Sequence, residues 1–123
     1  MWKVRAIRGA TTASENTEEA IREAVTELLD ELERHNRLDP EEIISVVFTS
    51  TRDLDAIFPA EIARNRSCWD CVPLLDVQQM HVENSIKRCI RVLIHLNIPS
   101  PDVKINHLYL RQAKNLRPDW SLA

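Results

Sequence analysis

The chain has 123 residues, of which 44% are hydrophobic and 28% charged, a balance typical of one water-soluble globular domain spanning residues 1–123. Its net charge of −3 excludes a general attraction to nucleic acid or to an anionic membrane, and no apolar run approaches the roughly 18 residues that span a bilayer. The N-terminal sequence has no uninterrupted apolar segment of the signal-peptide type, so we expect a cytoplasmic protein.

The hydrophobic pattern predicts helices and strands in the order β-α-β-α-β-β-β. Loose alternation predicts the first strand, and apolar residues at helical spacing from Ala20 to Leu32 predict the longest helix, which Asn16 or Thr17 would cap. The β-branched run IISVVFTS predicts a buried strand. The predicted elements lie at residues 2–10 (strand), 17–35 (helix), 43–50 (strand), 60–67 (helix), 72–77 (strand), 89–96 (strand) and 107–110 (strand).

This order of elements predicts an α+β fold in which a mixed β-sheet carries the helices on one face. The connections are short and polar. A loop is predicted over residues 11–16, a short helical turn begins at Pro40, a proline-flanked turn spans residues 100–103, and a polar tail begins at Arg117. No internal repeat or low-complexity tract interrupts the chain.

Arginine supplies twelve of the 16 basic residues, and the single glycine is Gly9. Guanidinium groups bind carboxylates with two parallel hydrogen bonds, so the arginine excess suits an anionic ligand, although codon bias is the simpler explanation from composition alone. A phosphate-cradling loop needs several glycines. The sequence therefore excludes a P-loop and a dinucleotide-binding fingerprint.

The cysteines and histidines do not predict a metal site. Cys68 and Cys71 form a C-x-x-C pair, the pattern of a redox dithiol or of half a zinc site, but no second ligand pair follows it. Incidental thiols are the simpler interpretation, and Cys89 is expected in the core. His95 and His107 are expected to be hydrogen-bonded structural residues. We therefore expect no metal site.

Three charged side chains do not fit an apolar core. Arg91 lies inside the strand CIRVLIHL, on the face it shares with Cys89 and Leu93. A buried cation there requires an anionic partner, unless its aliphatic stem lets the charge reach solvent. Arg8 lies at the end of the first strand, and Asp76 interrupts or ends an apolar strand. No nucleophile–base assembly can be built from the spacings, so pattern alone predicts a domain that presents arginines to something anionic.

Several separated motifs carry a more specific signal: VRAIRGATT, ENTEEAI, TRDLDAIFPAEIAR, WDCVPL, KRCIRV, HLYL and LRPDWSL. Together they resemble the AroH-class chorismate mutases over nearly the whole chain. The resemblance implies an isomerase that converts chorismate to prephenate by a Claisen rearrangement, without a cofactor, in the shikimate pathway to phenylalanine and tyrosine. It also implies a homotrimer with a pseudo-α/β-barrel core and active sites between adjacent subunits.

The same motifs imply roles for individual residues. Arg91 in CIRV matches the catalytic arginine of the family. Arg8 in IRGATT matches a substrate-binding arginine, and Tyr109 in HLYL matches a tyrosine that hydrogen-bonds a substrate carboxylate. The remaining matches, which line or close the pocket, are Phe58, Ala60, Arg64, Leu74, Leu75, Leu116 and Arg117.

Three positions depart from the family pattern. This chain has Glu61, Gln79 and Asp76 where the family has lysine, glutamate and cysteine, respectively. The resemblance implies that the glutamate accepts the ring hydroxyl and faces the developing allyl cation, a role that a neutral glutamine fills only in part. We therefore predict that Asp76 supplies the missing carboxylate and is catalytic. The alternative is that Asp76 pairs with a neighbouring arginine and Gln79 acts alone.

The departures at Glu61 and Gln79 also suit a protein of another class, a non-catalytic trimeric module that binds or senses a small anion on the same fold. Loss of chorismate absorbance on adding the protein distinguishes the enzyme from the module. The expected partners are chorismate and further copies of this chain, with no nucleic acid and no membrane.

Overall fold

The structure, a computed structural model, describes residues 2–100 and 102–119. The helices and strands follow one another in the predicted order. They are β1 (Lys3–Thr12), α1 (Glu18–Asn36), β2 (Ile43–Ser50), α2 (Pro59–Arg64), β3 (Leu74–Gln78), β4 (Cys89–Ile98) and β5 (Leu108–Tyr109), with 3₁₀ helices at Pro40–Glu42 and Arg111–Asn115. Pro101 of the predicted turn and the end of the LRPDWSL motif lie outside the described residues.

The five strands form one sheet in the order β3-β2-β4-β1-β5. β4 runs antiparallel to both of its neighbours, whereas β3 is parallel to β2 and β5 is parallel to β1. The predicted mixed sheet is therefore confirmed, and so is the strand at residues 43–50.

The ends of several elements differ from the prediction because pairing between distant segments decides them. Thr11 and Thr12 were expected in a loop, but they pair with the start of β4 and extend β1. β4 continues to Ile98, which pairs with Lys3 at the other end of β1. α2 begins one residue earlier than predicted, at Pro59, since proline suits the first position of a helix.

The helices cover one face of the sheet. Thr17 caps α1 as predicted, its hydroxyl oxygen accepting the Ala20 N–H at 3.1 Å. The apolar stripe of α1 is buried in the main core with Ile7, Phe48 and Val92 of the sheet. Within the described ranges, no helix has both the length and the apolar character that crossing a membrane requires.

Gly9 lets α1 approach β1 closely. A Cβ atom at this position would lie 3.1 Å from Leu32 Cδ1 and 3.3 Å from Leu28 Cδ1 on α1, and 3.2 Å from Val92 Cγ1 on β4. A larger side chain would therefore press on the helix and on the neighbouring strand together. The single glycine of the chain has a packing role beside Arg8.

The other face of the sheet, which we call the open face, is not covered by α1 or α2. Burial along β4 alternates, with Ile90, Val92 and Ile94 buried and Arg91 and Leu93 half-buried. Residues that pair directly across neighbouring strands point to the same face of the sheet, so the strand register identifies the other residues of the open face. The open face includes Val4, Ala6, Arg8, Ala10, Val47, Thr49, Leu75, Val77, Arg91, Leu93 and Tyr109.

Candidate active site

Strand register brings three of the predicted site residues together on the open face. Ala10 pairs with Arg91 on one side and with Tyr109 on the other. Arg8 lies two residues before Ala10 on β1, so its side chain points to the same face. Arg91 also lies on the face that it was predicted to share with Cys89 and Leu93, because residues two apart on β4 point to the same side of the sheet.

Around Arg91, three buried polar atoms have no hydrogen-bond partner within the described part of the chain. They are Nε of Arg91, Oγ1 of Thr49 and Oε1 of Gln79. Thr49 pairs directly with Arg91, and the Gln79 N–H donates to Ser50 at the end of β2. Buried polar groups in folded proteins are nearly always hydrogen-bonded. Water, a ligand or another chain can supply the partners of these atoms.

Cys89 lies beside this patch, two residues before Arg91 on the same strand. Its side chain is buried, as predicted. Burial raises the pKa of the Cys89 thiol, and the Arg91 cation opposes that shift. The thiol is held neutral next to the guanidinium, so Arg91 does not meet an anionic thiolate here.

The C-terminal segment packs over Tyr109. The Tyr109 ring is 1% exposed and forms a small cluster with Ala10, Ala113 and Leu116. Arg117 follows Leu116 and donates to both carboxylate oxygens of Asp119, at 2.8 Å and 3.1 Å. The predicted closing residues thus lie against the predicted carboxylate-binding tyrosine.

A second group of predicted residues surrounds the start of α2. Phe58 precedes the helix, is 68% exposed and gives no side-chain cap. Asp76 on β3 provides the cap instead, because its Oδ1 accepts the Ala60 N–H at 3.0 Å. Burial raises the pKa of the Asp76 carboxyl, and the Ala60 hydrogen bond opposes the shift. Arg64, exposed, ends the helix.

Asp76 and Phe58 line a cavity of about 590 Å³, here called the α2 cavity, together with Glu61 and Arg52. Gln79 lines a separate cavity of about 400 Å³, which Arg52 also borders. The two residues predicted to share one catalytic role therefore face different spaces in a single chain.

Alternation along β3 explains this separation. Asp76 pairs with Phe48, whose side chain lies in the helix-covered core, and Gln79 follows Val77 on the open face. Leu74 and Leu75 divide in the same way, since Leu74 packs against the main core whereas Leu75 is 58% exposed on the open face. Within one chain, the site residues form an open-face group around Arg91 and an α2 group around Asp76.

The C-x-x-C pair lies apart from both groups. Cys68 and Cys71 are exposed free thiols in the connection between α2 and β3. In residues 2–100 and 102–119, no three His, Cys, Asp or Glu side chains are placed to hold a metal ion.

Comparison with known proteins decides the family. The sequence model of chorismate mutase type I matches residues 4–120. The chain belongs to the chorismate mutase type I family. It is 45% identical over 121 residues to chorismate mutase AroH of Thermus thermophilus, covering 98% of each chain. It is 40% identical over 119 residues to chorismate mutase AroH of Bacillus subtilis, covering 97% of this chain and 94% of that one.

The fold agrees with a solved structure of the family. A chorismate mutase from Clostridium thermocellum superimposes with a TM-score of 0.85 at 43% identity, covering 90% of this chain and 98% of that chain. The resemblance to the AroH class is confirmed, and with it the chorismate mutase activity in aromatic amino acid biosynthesis. The enzyme interpretation thereby replaces that of a non-catalytic anion-binding module.

Sequence reasoning missed the side chains that fix the start of β4. The Asp53 carboxylate accepts the Arg88 N–H with both oxygens, at 2.9 Å and 3.2 Å, and also accepts the Thr51 hydroxyl. The Thr51 hydroxyl oxygen accepts the Cys89 N–H at 3.0 Å. Arg88 has left-handed backbone (φ 49°), a conformation that needs such support. Arg91 follows three residues later on β4, so we expect this network to influence its position.

A second hydrogen-bond network fixes the loop that leads to Phe58. The Asn16 side chain donates to the Asp55 carboxylate at 2.7 Å and accepts the N–H groups of Asp55 and Ala56. In the sequence, only the aspartates of the TRDLD motif gave a signal, since Asp commonly hydrogen-bonds nearby backbone N–H groups. Their distant partners, the Arg88 N–H and the Asn16 side chain, lie more than 30 residues away and have no local signature.

Replacing Asp53 tests whether the start of β4 positions Arg91. Asp53→Ala leaves the Arg88 N–H without its acceptor, so the strand entry can shift. If Arg91 has the catalytic role that the resemblance implies, a small displacement is costly, and we expect kcat to fall about tenfold in a folded chorismate mutase. Asp70→Ala, which removes an exposed carboxylate far from β4, serves as the control in the same absorbance assay. An Asp53→Ala enzyme with unchanged kcat would show that this network does not position Arg91.

Proposed function

We propose that this chorismate mutase acts as a homotrimer, with each active site assembled from the open-face group of one subunit and the α2 group of its neighbour. The separation of the two groups in a single chain carries the proposal. Arg91 and Gln79 belong to the open face, whereas Asp76 caps α2 beside the α2 cavity. A site that uses both groups needs two chains.

The exposed side chains of the open face support assembly through this surface. Leu75 is 58% exposed, Val77 is 43% exposed and Val4 is 55% exposed, and all three lie on the face opposite the helices. Burying apolar area contributes roughly 25 cal/mol per Å². Three subunits packed through their sheets, with helices outward, would form the expected pseudo-α/β-barrel. Each subunit would contribute residues 1–123 as one domain, and the cytoplasmic location remains a prediction.

The chemistry needs a fixed cation more than it needs a base. In the rearrangement, the ether C–O bond of chorismate breaks while a C–C bond forms, with no group gained or lost. Negative charge develops on the ether oxygen and positive charge on the ring fragment. A cation aimed at that oxygen acts mainly in the transition state, so it lowers the barrier. Arg91 has this role in our proposal, supported by its Nε on the open face, which has no hydrogen-bond partner among the residues that the structure describes.

The other open-face residues would bind the two carboxylates of chorismate. Arg8 and Tyr109 lie on paired strands, and Arg117 follows the segment that packs over Tyr109. Holding both carboxylates favours the compact conformer in which the reacting carbons approach one another. Arg117 would exchange its pairing with Asp119 for the substrate, since both partners are carboxylates.

Asp76 would reach Gln79 only across the subunit interface. Its Oδ1 caps α2, which leaves Oδ2 for the ring hydroxyl of a substrate held by the neighbouring subunit. An ionised acceptor forms hydrogen bonds about twice as strong as those of a neutral one. In our proposal Asp76 therefore supplies the negative charge that Gln79 lacks, and the Gln79 amide oxygen is the weaker second acceptor.

Removing Arg91 tests the central assignment. Arg91→Ala should leave a folded trimer whose kcat is about a hundredfold to a thousandfold lower, the usual loss when a preorganised transition-state donor is removed. Arg22→Ala, on the exposed side of α1, controls for the loss of one positive charge. Activity of Arg91→Ala within tenfold of the starting protein would refute the role of Arg91.

Asp76→Asn tests the proposed acceptor. Asparagine keeps an Oδ1 that can accept the Ala60 N–H, so α2 stays capped while the charge is lost. We expect kcat/KM to fall about tenfold or more, and Gln79→Ala to cost less. Because the pKa of Asp76 is raised, activity that depends on its charge should begin to fall at a higher pH than for an ordinary carboxylate. A fully active Asp76→Asn enzyme, or a more damaging Gln79→Ala change, contradicts this assignment.

Mixed trimers test the shared site directly. One chain carries Arg91→Ala and the other carries Phe58→Ala with Arg64→Ala, so each is defective in a different group. Co-refolding equal amounts should restore about a quarter of the full activity, since random cyclic trimers pair an intact open face with an intact α2 group at that frequency. Mixing without refolding is the control. No recovery after co-refolding, or a monomer by light scattering, would contradict sites built between subunits.

A further inference from the structure

The pairing between β1 and β5 is short and ends at an unusual contact. Backbone pairing joins only Gly9 to Leu108 and Ala10 to Tyr109, and the Leu110 N–H donates to the Ala10 carbonyl. One residue earlier, the Arg8 N–H donates to a side chain, Nδ1 of His107, at 3.0 Å. The imidazole thus takes the place of a backbone carbonyl and extends the pairing to Arg8.

This hydrogen bond fixes the state of the imidazole. Nδ1 accepts only when it carries no proton, so in the neutral ring the proton is on Nε2. Burial lowers the pKa of His107, and the cations of Arg8 and Arg5 on β1 and of Arg117 in the C-terminal segment lower it further.

Asn106, the residue before His107, is hydrogen-bonded to the C-terminal end of α1. The Asn36 side chain accepts the Asn106 N–H at 2.8 Å and donates to the Asn106 carbonyl at 3.0 Å. The Asn106 side chain donates in turn to the backbone carbonyl of His35. The chain therefore enters β5 from a fixed point on α1, which leaves the imidazole little freedom to move away from Arg8.

We propose that His107 is a positioning residue of the enzyme, whose neutral imidazole holds the Arg8 backbone in register with β5 and thereby sets the distance between Arg8 and Tyr109. The proposal rests on the carboxylate-binding roles proposed above for those two residues. Protonation of Nδ1 replaces the acceptor with a second donor facing the Arg8 N–H, and it adds a fourth cation to Arg5, Arg8 and Arg117. The strands then lose their contact at Arg8, and substrate binding weakens.

The direction of the pH effect follows from the lowered pKa. Between the folded-state pKa of His107 and its ordinary value of 6.5, the unfolded chain binds more protons than the folded one. The stability contributed by the neutral imidazole is therefore complete above that ordinary value and is lost as the pH falls towards the folded-state pKa. KM reports the folded enzyme alone, so it should rise at lower pH, around the folded-state pKa at which His107 takes up its proton.

Two substitutions of His107 distinguish the role of its hydrogen-bond acceptor from the role of the ring as a space-filling group. His107→Asn puts an amide oxygen near the position of Nδ1 and cannot titrate, whereas His107→Leu fills space without an acceptor. We expect His107→Leu to raise KM about tenfold with little change in kcat. His107→Asn should keep KM near that of the starting protein and should lose the acid-side rise. His35→Asn, at an exposed histidine of α1, is the matched control.

Two further measurements make the outcome decisive. Arg8→Ala is assayed in parallel. An unchanged KM in Arg8→Ala would show that the proposed role of Arg8 is wrong. A raised KM in Arg8→Ala together with a normal KM in His107→Leu would overturn only the role of His107. Nitrogen NMR of ¹⁵N-labelled histidine reads the tautomer even if His107→Leu does not fold. An Nδ1-protonated His107 at neutral pH, or equal losses in the Asn and Leu variants, would overturn the proposal.

Discussion

The two-residue repeat of the strands is the constraint on which the rest of this structure depends. It assigns each side chain of β4 either to the core beneath α1 or to the open face, so Ile90 and Val92 build the core while Arg91 does not. Across the sheet, register then brings Arg8 and Tyr109 to the face of Arg91. The same repeat sends Asp76 to the helix-covered side, and this separation is the observation behind the proposed site between subunits.

Much of the fold could be predicted because its signals are local. The apolar stripe and the cap of α1 lie within 16 residues of sequence, from Thr17 to Leu32, and the β-branched run of β2 marks a strand without reference to anything else. The extension of β1 through Thr12 could not be predicted, because those polar residues become strand only by pairing with β4, nearly 80 residues away. Secondary-structure propensity is a property of one segment, whereas strand pairing depends on two segments that can lie far apart in the sequence.

The candidate site also has features that the sequence predicts and features that it does not. Arg91 could be singled out because a cation inside an apolar strand is anomalous, and the family motifs supplied the other residues. The capping of α2 by Asp76 and the acceptance of the Arg8 N–H by His107 could not be predicted, since each joins side chain to backbone across 16 and 99 residues, respectively. His107 was expected to be a hydrogen-bonded structural residue. Its partner, however, is the backbone of Arg8, a predicted site residue, and only the folded chain reveals this contact.

The mismatch in length between β1 and β5 bears on how this protein avoids aggregation. β1 has ten residues and β5 has two, so no described strand pairs with residues 3–7 of β1 on the β5 side. Exposed strand edges invite a further strand from another molecule. Here the part of the edge without a described strand partner carries Lys3 and Arg5, and two identical edges brought together would bring like charges together. Growth by strand addition is thereby discouraged, and the proposed association uses the side chains of the sheet face instead of its edge.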